Sequence, residues 1–310
     1  MKFQLSFYLF LVLAVAACQK AEDPFVSKSV IDSLIARKNP VMKNVAFIFK
    51  NDIYYLPAFN QLPVRITNSP GVSKRSLSMS HNHKKFAYLS GSAIVIVDEK
   101  GSQLARLTQY SNVKTFDWSL NDETLYILTD NSMAYYGPSL NLPEITFPGI
   151  NWAVTPQVLW ASVSSKGDFA YVFTAFYPFG PDTYKLVVKR AGGGTDVVYT
   201  AEQNEKMSYA AFSVNEQDLV VGYKSNSYDR ELSKLEIFSG LKSYPDFDLE
   251  SSENYSTPRY NSKLDYMVCG YMRVNSDTLK LSARFGADFD KSKVREEFYT
   301  TGDFLYTDWK

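Results

Sequence analysis

YTDWK, residues 306–310, closes the chain, and TFDWS, residues 115–119, stands in its middle. The Asp-Trp pair that opens a structural unit at 117–118 recurs at 308–309, where no unit follows it. A chain that ends on the first strand of a repeat can give that strand only to a unit begun earlier. Residues 45–67 are that unit: VAFIF, IYYLP and PVRIT read as three strands with no inner strand before them.

Between these ends, five segments share a small or apolar run, a polar turn and an apolar strand. They are LSMSHNHKKFAYLS (77–90), FDWSLNDETLYILT (116–129), ASVSSKGDFAYVFT (161–174), AAFSVNEQDLVVGY (210–223) and TPRYNSKLDYMVCGY (257–271). Their anchors, Ser80, Ser119, Ser164, Ser213 and Tyr260, lie 39, 45, 49 and 47 residues apart. That is the period of a four-stranded β-propeller blade, about 40–50 residues. Each apolar strand is followed by another, such as Ala93 to Val97 or Leu186 to Lys189, and then by a glycine turn, Glu99-Lys100-Gly101 or Gly192-Gly193-Gly194. Such turns are hairpin chemistry. The expected fold is all-β: a six-bladed propeller over 45–310, with five continuous blades and one composite blade in which the C-terminal strand joins the N-terminal three. This closure pairs an otherwise open sheet edge.

The pattern resembles the TolB-type propeller repeat, whose blades read Ser-Pro-Asp-Gly-Lys, apolar strand, second strand, Asp-Gly-Gly turn and Leu-Thr. The unit from Ser80 to Thr108, with FAYLS, IVIVDEKG and ARLT, carries the resemblance best. Arg65-Ile66-Thr67 and Ser164-Ser165-Lys166-Gly167-Asp168 are partial matches. The resemblance spans 45–310, yet no blade keeps Ser-Pro-Asp-Gly-Lys intact, and 19–44 leave no room for the separate α/β domain of TolB. It implies the fold, and a place in an envelope complex with a peptidoglycan-associated lipoprotein.

The first residues give the expected address. Lys2 precedes an apolar run from Leu5 to Ala17 broken only by Ser6. The run is shorter than the ~20 residues a spanning helix needs, and it has the grammar of a signal peptide. Leu-Ala-Val-Ala-Ala-Cys, residues 13–18, resembles a bacterial lipobox; by that resemblance residues 1–17 are removed and Cys18 is acylated, binding the lipid of the outer membrane. Gln19-Lys20-Ala21-Glu22-Asp23 resembles the export signal of Bacteroidetes surface lipoproteins, although any solvated linker would also look like this. The cell surface and the periplasmic face therefore both stay open. Residues 18–44 hold this tether and one amphipathic stretch, in which Val26, Val30, Ile31, Leu34 and Ile35 fall at helical spacing and Asn39-Pro40 ends the pattern. A helix with its apolar face laid on the main domain is expected there.

Composition excludes several classes. Lys plus Arg and Asp plus Glu are each 33, so no basic surface is available to steer nucleic acid. With Cys18 claimed by the lipobox, Cys269 is left alone; no internal disulfide is expected, and Cys269 reads as a buried apolar residue. Twenty-two Tyr and 21 Phe suit half-buried strands.

Candidate binding residues come from loops, because propellers host many functions and differ at one face. Gly91-Ser92 and Asp130-Asn131 are minimal links, whereas those near 176–182, 225–234 and 273–276 are long. Tyr177, Phe179, Asn226, Tyr228, Arg230, Arg273 and Asn275 are candidates there, with Trp152 in the connector 147–156. Aromatic planes beside Arg and Asn suit an envelope protein, a peptide or a glycan; alternatively the rings pack their own loops. No catalytic residue, metal or cofactor is assigned. His81 and His83 lack a third ligand and read as solvated turn residues; Gly192-Gly193-Gly194-Thr195 lacks the Lys-Ser/Thr of a phosphate loop. Asp117, Asp168 and Asp308 are the carboxylates that could converge in the channel, which leaves a glycan lyase or hydrolase as an alternative to a binding module. Asp117 and Asp308 belong to the repeat, which favours a structural role for them.

Overall fold

The computed structural model describes residues 43–310 apart from 59–60, 120, 130–131, 138–144, 147–155, 165–167, 176–182, 191–192, 202–204, 225–231, 242–246, 262–265, 274–279, 286–295 and 300–303. The signal segment, Cys18 and the amphipathic stretch after it lie outside the described residues.

Among the described residues every regular element longer than one turn is a strand, and every pairing is antiparallel. The sheet that contains the chain's end runs β23 (Phe304–Trp309), β1 (Val45–Phe49), β2 (Asp52–Leu56), β3 (Val64–Arg65). Val45 faces Trp309 and Ala46 faces Asp308 across the β1–β23 ladder. The terminal YTDW strand therefore does join the three N-terminal strands.

Three further sheets have four strands each. One contains β4 (Arg75–Met79), β5 (Lys85–Ser90), β6 (Ala93–Asp98) and β7 (Gln103–Leu107). The next contains β8 (Thr115–Trp118), β9 (Leu125–Leu128), β10 (Ser132–Tyr136) and β11 (Ile145–Thr146). The third contains β12 (Pro156–Val163), β13 (Phe169–Ala175), β14 (Thr183–Lys189) and β15 (Thr195–Thr200).

The fifth sheet has seven strands: β16 (Met207–Phe212), β17 (Leu219–Lys224), β18 (Leu232–Phe238), β19 (Phe247–Asn261), β20 (Tyr266–Arg273), β21 (Lys280–Phe285) and β22 (Glu296–Tyr299). Here the structure departs from separate four-stranded units. β19 is 15 residues long; its first part pairs with β18 and its second, from Glu253 to Asn261, with β20. No glycine interrupts FDLESSENYSTPRYN, so the backbone continues extended from one pairing into the other.

The four serine anchors have one backbone geometry. The amide of Ser80 donates to Lys85 O, that of Ser119 to Thr124 O, that of Ser164 to Asp168 O and that of Ser213 to Asp218 O, all within 2.7–2.9 Å. Each serine Oγ also accepts an amide from the far side of its turn: Lys85, Thr124, Asp168 or Asp218, at 2.9–3.1 Å. In three turns an asparagine two residues on, Asn82, Asn121 or Asn215, accepts from the serine hydroxyl. The next residue is left-handed: His83 at φ 61°, Asp122 at 58° and Glu216 at 58°. Ser-x-Asn-x thus retains the shape of Ser-Pro-Asp-Gly, with an ordinary residue bearing the strain that glycine would avoid. The other glycine turns form as expected, with Gly101 N on Asp98 O at 3.0 Å and Gly193 N on Arg190 O at 3.1 Å.

The core lies between sheets. Within β5, Phe86 and Tyr88 pack toward β1 and β2, while Ala87 and Leu89 pack toward β8 and β9. The two-residue period of the strand divides its side chains between two neighbouring seams, which is why these strands read as unbroken apolar runs. The same division continues through β13, whose Phe169 and Tyr171 pack toward β9 and β10 and whose Ala170 and Val172 pack toward β16 and β17. The first strands of successive units touch in the order β4, β8, β12, β16, β19, and β23 touches both β19 and β4.

Two predictions follow from this packing. Removing residues 304–310 strips β1 of one of its two partners, and thermal unfolding by circular dichroism should show the whole domain melting earlier; a truncated chain with the parent's cooperative melt would refute the structural role of β23. Gly101, at φ 81°, would place a Cβ 2.1 Å from Ile66 O, so Gly101→Ala should lower unfolding free energy by roughly 2 kcal/mol or more in urea titration.

Candidate functional site

The repeated Asp-Trp pair carries its chemistry into the middle of the molecule. Asp308 is fully buried, and its Oδ2 accepts the Met79 amide of β4 at 2.8 Å. Its Oδ1 lies 3.1 Å from Arg259 Nε of β19, without the alignment of a hydrogen bond, so charge holds that pair. Asp117, 5% exposed on β8, accepts from Ser78 Oγ of β4 at 2.7 Å and from its neighbour's amide, Trp118 N, at 2.9 Å. Lys310 Nζ lies 2.8 Å from Asp117 Oδ1, and Arg259 Nη2 lies 3.4 Å from Asp117 Oδ2. Two carboxylates and two cations, from β8, β19, β23 and the residue that follows β23, therefore meet beside β4. Trp118 Nε1 donates to Ser78 O at 3.3 Å and ties the same two strands again.

Burial alone would push the Asp117 carboxyl up. Lys310 and Arg259, with hydrogen bonds from Lys310 and Ser78, outweigh it and hold the carboxyl well below the usual carboxylate range. Burial likewise opposes the charge on Arg259, and Asp308, Tyr209 and Asp117 reverse that effect and keep the guanidinium charged. A carboxylate so engaged is a poor general acid near neutrality.

The sequence brought Asp117 and Asp308 forward, and the structure does bring them together. Asp168 stands apart, 3.5 Å from Arg190. The cations were missed: Arg259 sits one residue before an alignment anchor inside an apolar pattern, and a lone Arg in a strand has no sequence signature. The histidines require a correction. They do lie in the turn, but half-buried rather than fully solvated: Asp122 accepts the amides of His81 and Asn82 at 2.6 and 2.9 Å and lies 3.2 Å from His81 Nδ1, while His83 stacks on Tyr55 at 5.7 Å. Burial lowers the His83 pKa. Lys85 completes this seam, donating to Asp122 O at 2.7 Å with its ammonium 5.2 Å from the Trp118 ring.

Two other polar clusters are present, one buried and one half-buried. Lys74, with no exposed side-chain surface, donates to Asn51 O, to Ser69 O at 2.9 Å and to Asp52 Oδ1 at 3.2 Å, fastening the β3–β4 connection. In the other, Lys234 Nζ lies between Glu205 Oε1 at 2.8 Å and Glu236 Oε1 at 2.9 Å. Tyr199 donates to Glu205 Oε2 at 3.1 Å, and Tyr223 donates to Glu236. Burial raises the pKa of both Tyr223 and Glu236.

Of the loop candidates, Trp152, Tyr177, Phe179, Asn226, Tyr228, Arg230 and Asn275 lie outside the described residues. Arg273 ends β20, opposite Glu253. Cys269 falls on β20, opposite Ser282.

No family model and no curated protein matches the chain. Solved structures do. A chain of a nidogen/laminin complex superposes with a TM-score of 0.57 at 11% identity, over 84% of this chain and 93% of that one. A TolB-like protein of Agrobacterium tumefaciens gives 0.53 at 7%, over 83% and 88%. An oligogalacturonate lyase of Vibrio parahaemolyticus gives 0.51 at 9%, over 85% and 74%. At such identities the likeness concerns the fold, and the fold is that of the β-propellers.

The charge cluster yields a prediction with a defined sign. Arg259→Met leaves two buried carboxylates short of a cation and should cost about 3–5 kcal/mol in chemical denaturation. Because Asp117 is depressed in the folded state, its contribution is present above its unfolded pKa, near 4, and is lost as pH falls below that value. The parent should therefore lose stability steeply on acidification, and Asp117→Asn should flatten that part of the profile.

Proposed function

We propose that this chain is a membrane-anchored propeller that binds a protein, peptidoglycan or glycan ligand through its loop face without transforming it. We further propose that its six blades, the composite one included, form a closed ring. The β1–β23 ladder, the two halves of β19 and the succession of first-strand contacts support the ring. The observation that carries the binding reading is the state of the central carboxylates. Asp117 and Asp308 are committed to Arg259, Lys310, Ser78 and the Met79 amide, and so serve the scaffold.

The lipobox resemblance supports anchoring through acylated Cys18 at the outer membrane, on the cell surface or the periplasmic face, and QKAED supports a Bacteroidetes-like origin. TolB-like packing with an envelope complex is the second reading, favoured by the repeat resemblance and by the superposed TolB-like structure. A glycan-active enzyme is the third, favoured by the superposed lyase.

Two measurements test this. Cys18→Ser should move the protein from the membrane to the soluble fraction, and metabolic labelling with a radioactive fatty acid should mark only the parent. The full-length protein should be retained on isolated peptidoglycan, an oligosaccharide array or immobilised envelope proteins while leaving the ligand chemically unchanged. Release of unsaturated or shortened glycan products, seen by mass spectrometry, would overturn the non-catalytic reading.

A further inference from the structure

We propose that the turn between β4 and β5 is a proton-operated latch: with His83 neutral it is closed on Tyr55 of β2, and proton uptake by His83 opens it and loosens the entry into β1. The chain has two histidines, and both stand in this turn. Histidine changes charge between about pH 5 and about pH 8, so this response is concentrated at one point of the fold. The two rings meet different sheets. His83 stacks on Tyr55 with centroids 5.7 Å apart and planes at 22°. His81 Nδ1 lies 3.2 Å from Asp122 Oδ1 in the β8–β9 turn. Tyr55 donates to Asn44 Oδ1 at 3.0 Å and sets its edge against Phe86, and Asn44 O accepts the Lys310 amide at 3.4 Å. A line of contacts thus runs from His83 through Tyr55 to Asn44 and Lys310, the two residues that flank the β1–β23 ladder. His83 is also left-handed, at φ 61°, which costs a residue that bears a side chain, so losing the stack favours local rearrangement.

The groups around His83 set the direction of the response. It meets Tyr55 from β2, Asp122 from the β8–β9 turn, Asp308 from β23 and His81 from its own turn. Lys84 beside it is exposed, and Lys85 is engaged with Asp122 O and the Trp118 ring. Both carboxylates attract a proton on His83, but each is already committed, Asp308 to the Met79 amide and Arg259, Asp122 to the amides of His81 and Asn82. Burial prevails and, with the nearby His81, holds His83 below the ordinary histidine range. A histidine depressed by folding contributes stability that is present above its unfolded pKa, about 6.5, and is lost as pH falls below that value. A proton on His81 faces the Asp122 carboxylate instead, so that side of the turn keeps its hold in acid. Asp117 loses its contribution only below about pH 4, which separates the two effects.

The detergent-solubilised full-length protein, studied between about pH 8 and about pH 5, tests the latch. NMR titration with isotope-labelled histidine, assigned through His81→Gln and His83→Asn, should give His83 a midpoint below that of the unfolded chain; a midpoint at or above it would overturn the proposal. Amide exchange read by mass spectrometry, corrected for the intrinsic rate, should show residues 43–57 and 77–90 losing protection on acidification in the parent while 93–107 keep theirs. His83→Phe retains a ring against Tyr55 and takes up no proton, so it should stay protected at both ends of the range. His83→Asn suits the left-handed backbone but cannot stack in the same way, and should lack that protection throughout. No loss in the parent, or an equal loss in His83→Phe, would overturn the latch.

Discussion

The pairing of β23 with β1 is the constraint on which the other features depend. It joins segments far apart in the sequence, setting Val45 opposite Trp309, so it forms only once those distant segments have come together. Such a contact is entropically late: a loop of this size must close before any of its hydrogen bonds contribute. The ladder is then secured by groups that only this arrangement brings together. Asp308 reaches forward to the amide of β4, and Lys310 reaches Asp117 on β8.

Why charges should secure it follows from what apolar contacts cannot do. The seams between sheets are filled by Val, Ile, Leu and Phe, and many such packings are nearly equivalent. A carboxylate with buried neighbours has few satisfactory positions. Removing Asp117 from water is unfavourable unless Lys310, Arg259 and Ser78 are all in place, and those three come from three different strands. The cluster therefore contributes less to the depth of the native well than to its uniqueness, since a slipped β23 would leave Asp308 or Lys310 buried beside the wrong partner.

This also explains what was legible in the sequence. The period of the repeats was readable because each turn needs a side-chain oxygen at one position, and Ser80, Ser119, Ser164 and Ser213 supply it. The degeneracy of the motif was superficial: glycine is gone from three turns, but His83, Asp122 and Glu216 adopt the left-handed backbone that glycine would have taken. The composite sheet was readable from a strand at each end lacking neighbours. The continuity of β19 was not, because separate strands and a single long strand share the same alternation when no turn residue intervenes. Nor were the cations legible, because Arg259 and Lys310 acquire meaning only from strands distant in the sequence. The turn at His81 and His83 is legible but its partial burial is not, because the partners that half-cover them, Asp122 and Tyr55, are contributed by neighbouring sheets.

The polar groups of the described structure divide into two kinds. Around Asp117, Asp308 and Asp122, charges and amides are matched, and these sites fasten one sheet to the next. Elsewhere the matching is incomplete: on β13 and β16 the hydroxyls of Thr174 and Ser208 are buried without a hydrogen-bond partner. An apolar isostere at either position would remove the penalty of burying an unpaired hydroxyl at little cost in packing, so these two groups, unlike the matched charges, do nothing to fasten one sheet to the next.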